Sequence, residues 1–330
     1  MMNVEFIYYN YTEDGLMLPM MHFPPKSAVT GGATNAAPSA AGGSAPAAPA
    51  AADNSASAAA EASQAAFEKD LCVCFVHGMT GTAATSYFAE VWAEILTKQD
   101  IGFLFMNNRG HTQACDIRTE SGDTVMGGTM YEIFEDCLYD IDLLIKKAKE
   151  LGYKRIILAG HSLGCNKSIY YYSKRHPELA GMILASAPDM FQYHSDATPT
   201  EVRARLMQEA QDYMAKGEPY HLLSDFVDQW MPFSARTYVN WYTPGSSLDN
   251  IPVVSGKGDW SQLASVDVPI LTFSGGDEED QYHRMDEIGE HATSCPRFEY
   301  YIIPHTDHGY HHQEGYAGAV ILDWIRRVIL

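Results

Sequence analysis

Arg155-Ile156-Ile157-Leu158-Ala159-Gly160-His161-Ser162-Leu163-Gly164-Cys165-Asn166-Lys167 is the stretch that decides the fold. Its opening, Arg155 to Ala159, reads as a buried strand, and the residues after Gly164 read as a helix through Tyr172. Gly160 to Gly164 therefore has to turn the chain sharply from strand to helix. A G-x-S-x-G in that position lifts the serine side chain above the sheet, and its glycines let the turn and the crossing helix approach without Cβ clashes. Ser162 is the candidate nucleophile.

Outward from this elbow, strands and helices alternate. Upstream, Leu71 to Val76 and Ile101 to Met106 read as buried strands around a helix from Tyr87 to Lys98. A long amphipathic helix is expected over about Met130 to Leu151, with Phe134, Ile141 and Ala148 on one face. Downstream come a strand from Gly181 to Ala187, a strand from Pro269 to Ser274, a helix near Tyr282 to His291, a strand from Phe298 to Ile303 and a helix from Tyr316 to Ile329. Two extended runs, Val4 to Tyr9 and Leu16 to Phe23, flank the turn-forming Glu13-Asp14-Gly15. Regular alternation implies an α/β fold with a mostly parallel, doubly wound sheet covered on both faces.

Two segments interrupt it. Residues 27–66 are dominated by Ala, Ser, Gly and Pro, a composition that cannot bury enough surface to offset its ordering entropy and reads as a flexible insertion. Residues 190–268 read as a mostly helical cap inserted after the sixth strand, leaving 1–26, 67–189 and 269–330 as the core.

Composition excludes several classes. The 330 residues carry a formal net charge of -20, which repels a polyphosphate backbone and argues against nucleic acid. No apolar run approaches membrane-spanning length, and no basic stretch leads into an apolar segment at the amino terminus, so a cytoplasmic location is expected. The six cysteines follow no disulfide or zinc spacing and read as reduced thiols. Cys72 and Cys74 would share one face of a buried strand.

A serine hydroxyl needs a histidine to take its proton and a carboxylate to hold that histidine. Leu271-Thr272-Phe273-Ser274-Gly275-Gly276-Asp277 ends a strand in a glycine turn and an acid, so Asp277 takes the acid role, with Glu278 and Asp189 as alternatives. Ile303-Pro304-His305-Thr306-Asp307-His308 follows the last strand; His308 is the candidate base and His305 its rival. His311 and His312 make this segment histidine-rich, but no matching ligand set stands elsewhere, so neither a metal nor a cofactor is expected. Backbone N–H groups of Met79 and Leu163 are the candidate oxyanion donors.

Around them, Arg109 in the Arg-Gly turn reads as a structural ion pair, and Lys167 is expected on the exposed side of its helix. The cap is rich in aromatic residues, among them Trp230, Trp241 and Tyr242. Together with His77 these are the candidate substrate contacts, suited to a small ester with an apolar or aromatic acyl group.

His77-Gly78, Arg109-Gly110, Gly160 to Gly164, Asp277 and Asp307-His308 together resemble the α/β-hydrolase superfamily in its serine esterase and lipase branch. The resemblance covers nearly all the chain outside residues 27–66, more weakly in the cap. Asn107-Asn108-Arg109-Gly110-His111 with Gly160 to Lys167 is also similar to siderophore-ester hydrolases, and feruloyl-type esterases are a further likeness. The broader resemblance implies a Ser162, Asp277, His308 triad acting through an acyl-enzyme. It also implies a second strand antiparallel to its neighbours, which would place residues 27–66 away from the catalytic end and make them dispensable for turnover. Fold does not settle activity: acyl transfer, amide or carbon-carbon bond hydrolysis, and ligand binding without catalysis remain the alternatives to ester hydrolysis.

Overall fold

Strand β3 (Leu71–Val76) shows how the core is organised, because its six buried residues divide between two layers. Val73 and Phe75 pack with Trp92, Ile321 and Trp324 on one side of the sheet. Cys72, Cys74 and Val76 pack with Ile141, Leu144 and Ala148 on the other. Period-two alternation of apolar side chains on both faces is what a strand covered twice requires. Phe75 meets Phe105 and Phe103 at ring distances of 5.3 and 5.8 Å and Trp92 edge-on at 6.0 Å. Burying one such ring contributes roughly 1.5–3 kcal/mol.

The computed structural model describes residues 2–26, 70–256, 258–278 and 284–330. The main sheet has eight strands in the order β1-β2-β4-β3-β7-β8-β9-β10, formed by β1 (Glu5–Ile7), β2 (Met20–Phe23), β3, β4 (Gly102–Met106), β7 (Arg155–His161), β8 (Gly181–Ala185), β9 (Ile270–Gly275) and β10 (Phe298–Ile303). β2 runs antiparallel to both β1 and β4, and the remaining pairs are parallel. Helices α1 (Tyr87–Thr97) and α9 (Glu314–Trp324) cover one face, α2 (Cys137–Glu150) and α3 (Leu163–Arg175) the other. Between β8 and β9 lie α4 (Met190–Ala197), α5 (Thr200–Ala215), α6 (Ala235–Tyr242) and α7 (Ser261–Ala264); α8 (Met285–His291) precedes β10. No helix of the described residues is long and apolar enough to cross a membrane. The insertion expected over residues 27–66 falls outside the described residues.

Three features depart from the sequence reading. Residues 115–127 form an antiparallel hairpin, β5 (Cys115–Arg118) with β6 (Thr124–Gly127), where no strand was expected. The helix expected from Met130 starts only at Cys137, after 3-10 turns at Thr129–Tyr131 and Phe134–Asp136. Glu132 and Ile133 between those turns are extended, and the Glu132 carboxylate is drawn inward to Lys167. Lys167 itself, expected on the exposed side of α3, is buried, with 1% side-chain exposure against 0% for Glu132. Arg109 takes the structural role, its guanidinium set between Asp14, Asp136 and Asp140 at 2.8–3.2 Å.

Candidate active site

Because β3, β7, β8, β9 and β10 run parallel, the segments leaving their carboxyl ends gather at one edge of the sheet, where α/β sheets hold their ligands. Ser162 sits there between β7 and α3 with φ of 54°, left-handed backbone that a non-glycine residue holds only under constraint. Its N–H donates to the Ala185 carbonyl at 2.9 Å. The glycines around it are needed for space: a Cβ on Gly78 would lie 2.7 Å from Ser162 Cβ, and one on Gly160 or Gly164 would overlap backbone carbonyls. Leu163 is the first residue of α3, so its N–H has no acceptor one turn back. The loop bearing Met79 is fixed by Thr80 N–H donating to Thr129 Oγ1 at 2.9 Å and Gly81 N–H to the Gly78 carbonyl at 3.2 Å.

His308 stands on the turn after β10. Its Nδ1 lies 2.7 Å from Oε2 of Glu278. The backbone carbonyl of His308 accepts from His161 Nε2 at 2.8 Å, and the two imidazoles are 4.7 Å apart. A carbonyl has no proton to give, so His161 carries its proton on Nε2.

The carboxylate that meets His308 is that of Glu278, one of the sequence alternatives, and not that of Asp277. After Gly275 the chain turns, Glu278 N–H donating back to the Gly275 carbonyl at 3.2 Å. That turn carries Glu278 inward, to 4% side-chain exposure, while Asp277 remains exposed. Asp189, the other alternative, caps α4: its carboxylate accepts from the N–H groups of Gln192, Val254 and Ser255 at 2.9–3.0 Å. His305 is exposed and off the cavity wall.

Ser162, Glu278 and His308 line one cavity of about 1340 Å³, together with Met79 and, from the segment between β8 and β9, Tyr193 and Trp230. The Trp230 indole N–H donates to Tyr193 Oη at 2.8 Å. Five acidic residues, Asp196, Asp228, Asp277, Glu278 and Asp307, line this wall, the Asp228 carboxylate being buried against Tyr242 and Thr198, and no Lys or Arg among the described residues does. Burial alone would raise the Asp307 carboxyl, but hydrogen bonds from the His311 ring and from the His311 and Gly309 N–H groups outweigh it and hold it below its ordinary value.

Three expected substrate contacts lie elsewhere. Trp241 is fully buried with Phe233, at a ring distance of 5.1 Å. Tyr242 is buried too, its hydroxyl donating to Asp228 at 2.9 Å. His77 is sealed beneath the Met79 loop, its Nδ1 2.8 Å from the Gly78 carbonyl and its Nε2 accepting from Asn108 N–H at 3.0 Å. Burial, reinforced by the charge of Lys167, pushes His77 down to about 3, so it is neutral. Among the described residues no group of three or more His, Cys, Asp or Glu side chains is placed to hold a metal ion.

The profile of the serine aminopeptidase S33 family matches residues 68–245. Solved structures with the same fold include Est1E from Butyrivibrio proteoclasticus with ferulic acid bound, 16% identical with a TM-score of 0.58 over 98% of this chain and 99% of that one. A thermostable carboxyl esterase from Bacillus coagulans in complex with glycerol is 11% identical with a TM-score of 0.63 over the whole of both chains (100% of each). A soluble variant of monoglyceride lipase from Saccharomyces cerevisiae, in complex with a substrate analogue, is 14% identical with a TM-score of 0.56 over 99% and 96%. At these identities the likeness is one of fold. Comparison with curated protein sequences gives no match.

Proposed function

The chain belongs to the serine aminopeptidase S33 family of α/β-hydrolases, and from that premise we propose that it is a serine hydrolase cleaving a small carboxylic ester through an acyl-enzyme. The observation that carries this reading is the 2.7 Å contact between His308 Nδ1 and Glu278 in a cavity that Ser162 also lines. Glu278 fixes the imidazole so that Nε2 faces the cavity and accepts the Ser162 proton. Ser162 Oγ attacks the ester carbonyl, and the oxyanion is received by the N–H groups of Met79 and Leu163. His308 returns the proton to the leaving alkoxide, the alcohol departs, and water activated by the same imidazole hydrolyses the acyl-enzyme. Residues 190–268 serve as the cap, with Tyr193 and Trp230 as the aromatic wall against an apolar or aromatic acyl group. Esterases and a lipase among the structures of like fold support an ester over other acyl bonds.

A second reading is favoured by one feature of the cavity. Its carboxylates, with no Lys or Arg of the described residues among them, suit a substrate ammonium, as in cleavage of an amide beside a free amino group. Treating one sample with a fluorophosphonate, and separate unlabelled samples with matched p-nitrophenyl esters and aminoacyl anilides, tests both. Labelling at Ser162, abolished in Ser162→Ala and sharply reduced in His308→Ala, with turnover of esters above anilides, is the expected result. A folded parent that takes no label overturns the serine-hydrolase reading.

A further inference from the structure

Glu278 presents Oε2 to His308 and turns Oε1 the other way. Oε1 accepts from the Gly275 N–H at 2.6 Å and from Ser186 Oγ at 2.6 Å. Ser186 Oγ lies 2.6 Å from the Tyr310 hydroxyl as well. Counting protons fixes the direction of this chain. An ionised carboxylate has none to give, so the single hydroxyl proton of Ser186 goes to Glu278, and Tyr310 must donate to Ser186. Burial and the Glu278 charge push the Tyr310 phenol well above its ordinary range, which keeps that donor in place at any working pH.

Both residues are fully buried, and both hold left-handed backbone, φ of 51° at Ser186 and 59° at Tyr310. Strained conformations at non-glycine residues persist only where surrounding structure over-determines them, and they collect at functional sites. Ser186 N–H is tied to the Phe273 carbonyl at 2.7 Å and Tyr310 N–H to the Asp307 carbonyl at 3.0 Å. The chain thus joins three segments at the catalytic edge: the end of β8, the turn that bears Glu278 and the turn that bears His308.

We propose that Tyr310 and Ser186 form a directed hydrogen-bond relay that positions Glu278 and sets the proton affinity of the Glu278–His308 pair. They are positioning residues, acting on the reaction only through the carboxylate, and the proposal rests on the reading of Glu278 as the acid. Hydrogen bonds donated to a carboxylate favour its charged form. Removing one raises the proton affinity of the coupled pair, so activity is lost at higher pH on the acid side.

The test is the rate of Ser162 labelling by a fluorophosphonate as a function of pH, which requires no knowledge of the natural substrate. The variants are Ser186→Ala, Ser186→Gly, Tyr310→Phe and Glu278→Gln. Ser186→Gly removes the same hydroxyl while relieving the left-handed backbone, and so serves where Ser186→Ala folds poorly. Both Ser186 variants are expected to label about tenfold more slowly and to move the acid limb up by about one pH unit, the size expected for a hydrogen bond to a charged group. Tyr310→Phe, which keeps the buried ring, is expected to move the limb the same way by less. A folded Ser186→Gly with the parent's rate and acid limb overturns the relay. Glu278→Gln separates the two levels: loss of labelling there with unaffected Ser186 variants removes the relay alone, whereas a Glu278→Gln that labels like the parent removes the acid assignment and the relay with it.

Discussion

His308 Nδ1 lies 2.7 Å from Oε2 of Glu278, and the adjacent Asp277 is left exposed on the same turn. One residue of register decides which of two acids can hold the imidazole. The Gly275 N–H on the same turn and the Ser186 hydroxyl from the end of β8 both donate to Oε1 of Glu278, so that carboxylate is anchored on one oxygen and presented on the other.

The two acids therefore separate by mutation. Glu278→Gln keeps the shape but loses the charge that, in the proposed mechanism, orients and stabilises the imidazolium, and kcat is expected to fall by about 10⁴-fold, as when a triad carboxylate is made neutral. Asp277→Asn is expected to leave kcat within about threefold, since an exposed charge is screened by solvent. Steady-state kinetics on one ester decide it; equal losses in the two variants would reassign the acid.

Cavity charge makes a second prediction. With five acidic residues lining the wall and no Lys or Arg among its described residues, and a chain of net charge -20, an ester bearing a quaternary ammonium meets an attractive field and its carboxylate counterpart a repulsive one. Among esters of one alcohol, kcat/KM is expected to fall from cationic to neutral to anionic acyl groups. The spread should shrink as ionic strength rises from about 20 to about 500 mM, because the Debye length contracts from about 20 to about 4 Å. A spread indifferent to salt, or reversed in order, would remove charge as a determinant of specificity.

Lys167 and Glu132 predict a stability effect remote from the chemistry. Both side chains are out of water, and Oε2 of Glu132 has no hydrogen-bond partner among the described residues. Lys167→Met strands the carboxylate and is expected to cost about 3–5 kcal/mol, whereas pairing it with Glu132→Leu is expected to recover most of that. Urea unfolding of both variants is the measurement; a double variant no more stable than the single one would show that the pair does more than neutralise itself.

This pair also marks where the sequence stops being legible. The parallel sheet, the serine elbow and the histidine turn follow from apolar periodicity and glycine placement, which act over a few residues. Lys167 looks solvated on its own helix because nothing nearby reveals Glu132, 35 residues upstream. Glu278 stands in the acidic run Asp277-Glu278-Glu279-Asp280, where only the path of the turn selects one carboxylate. Ser186 and Tyr310 carry no motif at all; their signal is a three-dimensional contact between residues 124 positions apart. Hairpin β5–β6 had a local sign, Ser121-Gly122-Asp123 between short extended runs, with Gly122 at φ of 92°, but Val125 and Met126 face solvent and break the alternation that marks a strand.

His77 yields the last prediction, and its sign follows from proton counting. Burial holds its folded value near 3, below the 6.5 of an exposed histidine, so between those values the unfolded chain binds the proton and the folded chain does not. Stability from this residue is fully present above about pH 6.5 and drains away as pH falls toward 3. The integrated effect is on the order of 5 kcal/mol at the acid end, since a tenfold difference in proton affinity between the two states corresponds to about 1.4 kcal/mol. His77→Gln keeps an acceptor for the Asn108 N–H but has nothing to protonate. It is therefore expected to be less stable than the parent at pH 7, where packing is lost, and to lose less stability between pH 6.5 and 4.5. Urea midpoints across that interval give the two slopes. Equal slopes would mean that carboxylates alone set the acid sensitivity, and that the imidazole under the Met79 loop is a matter of shape.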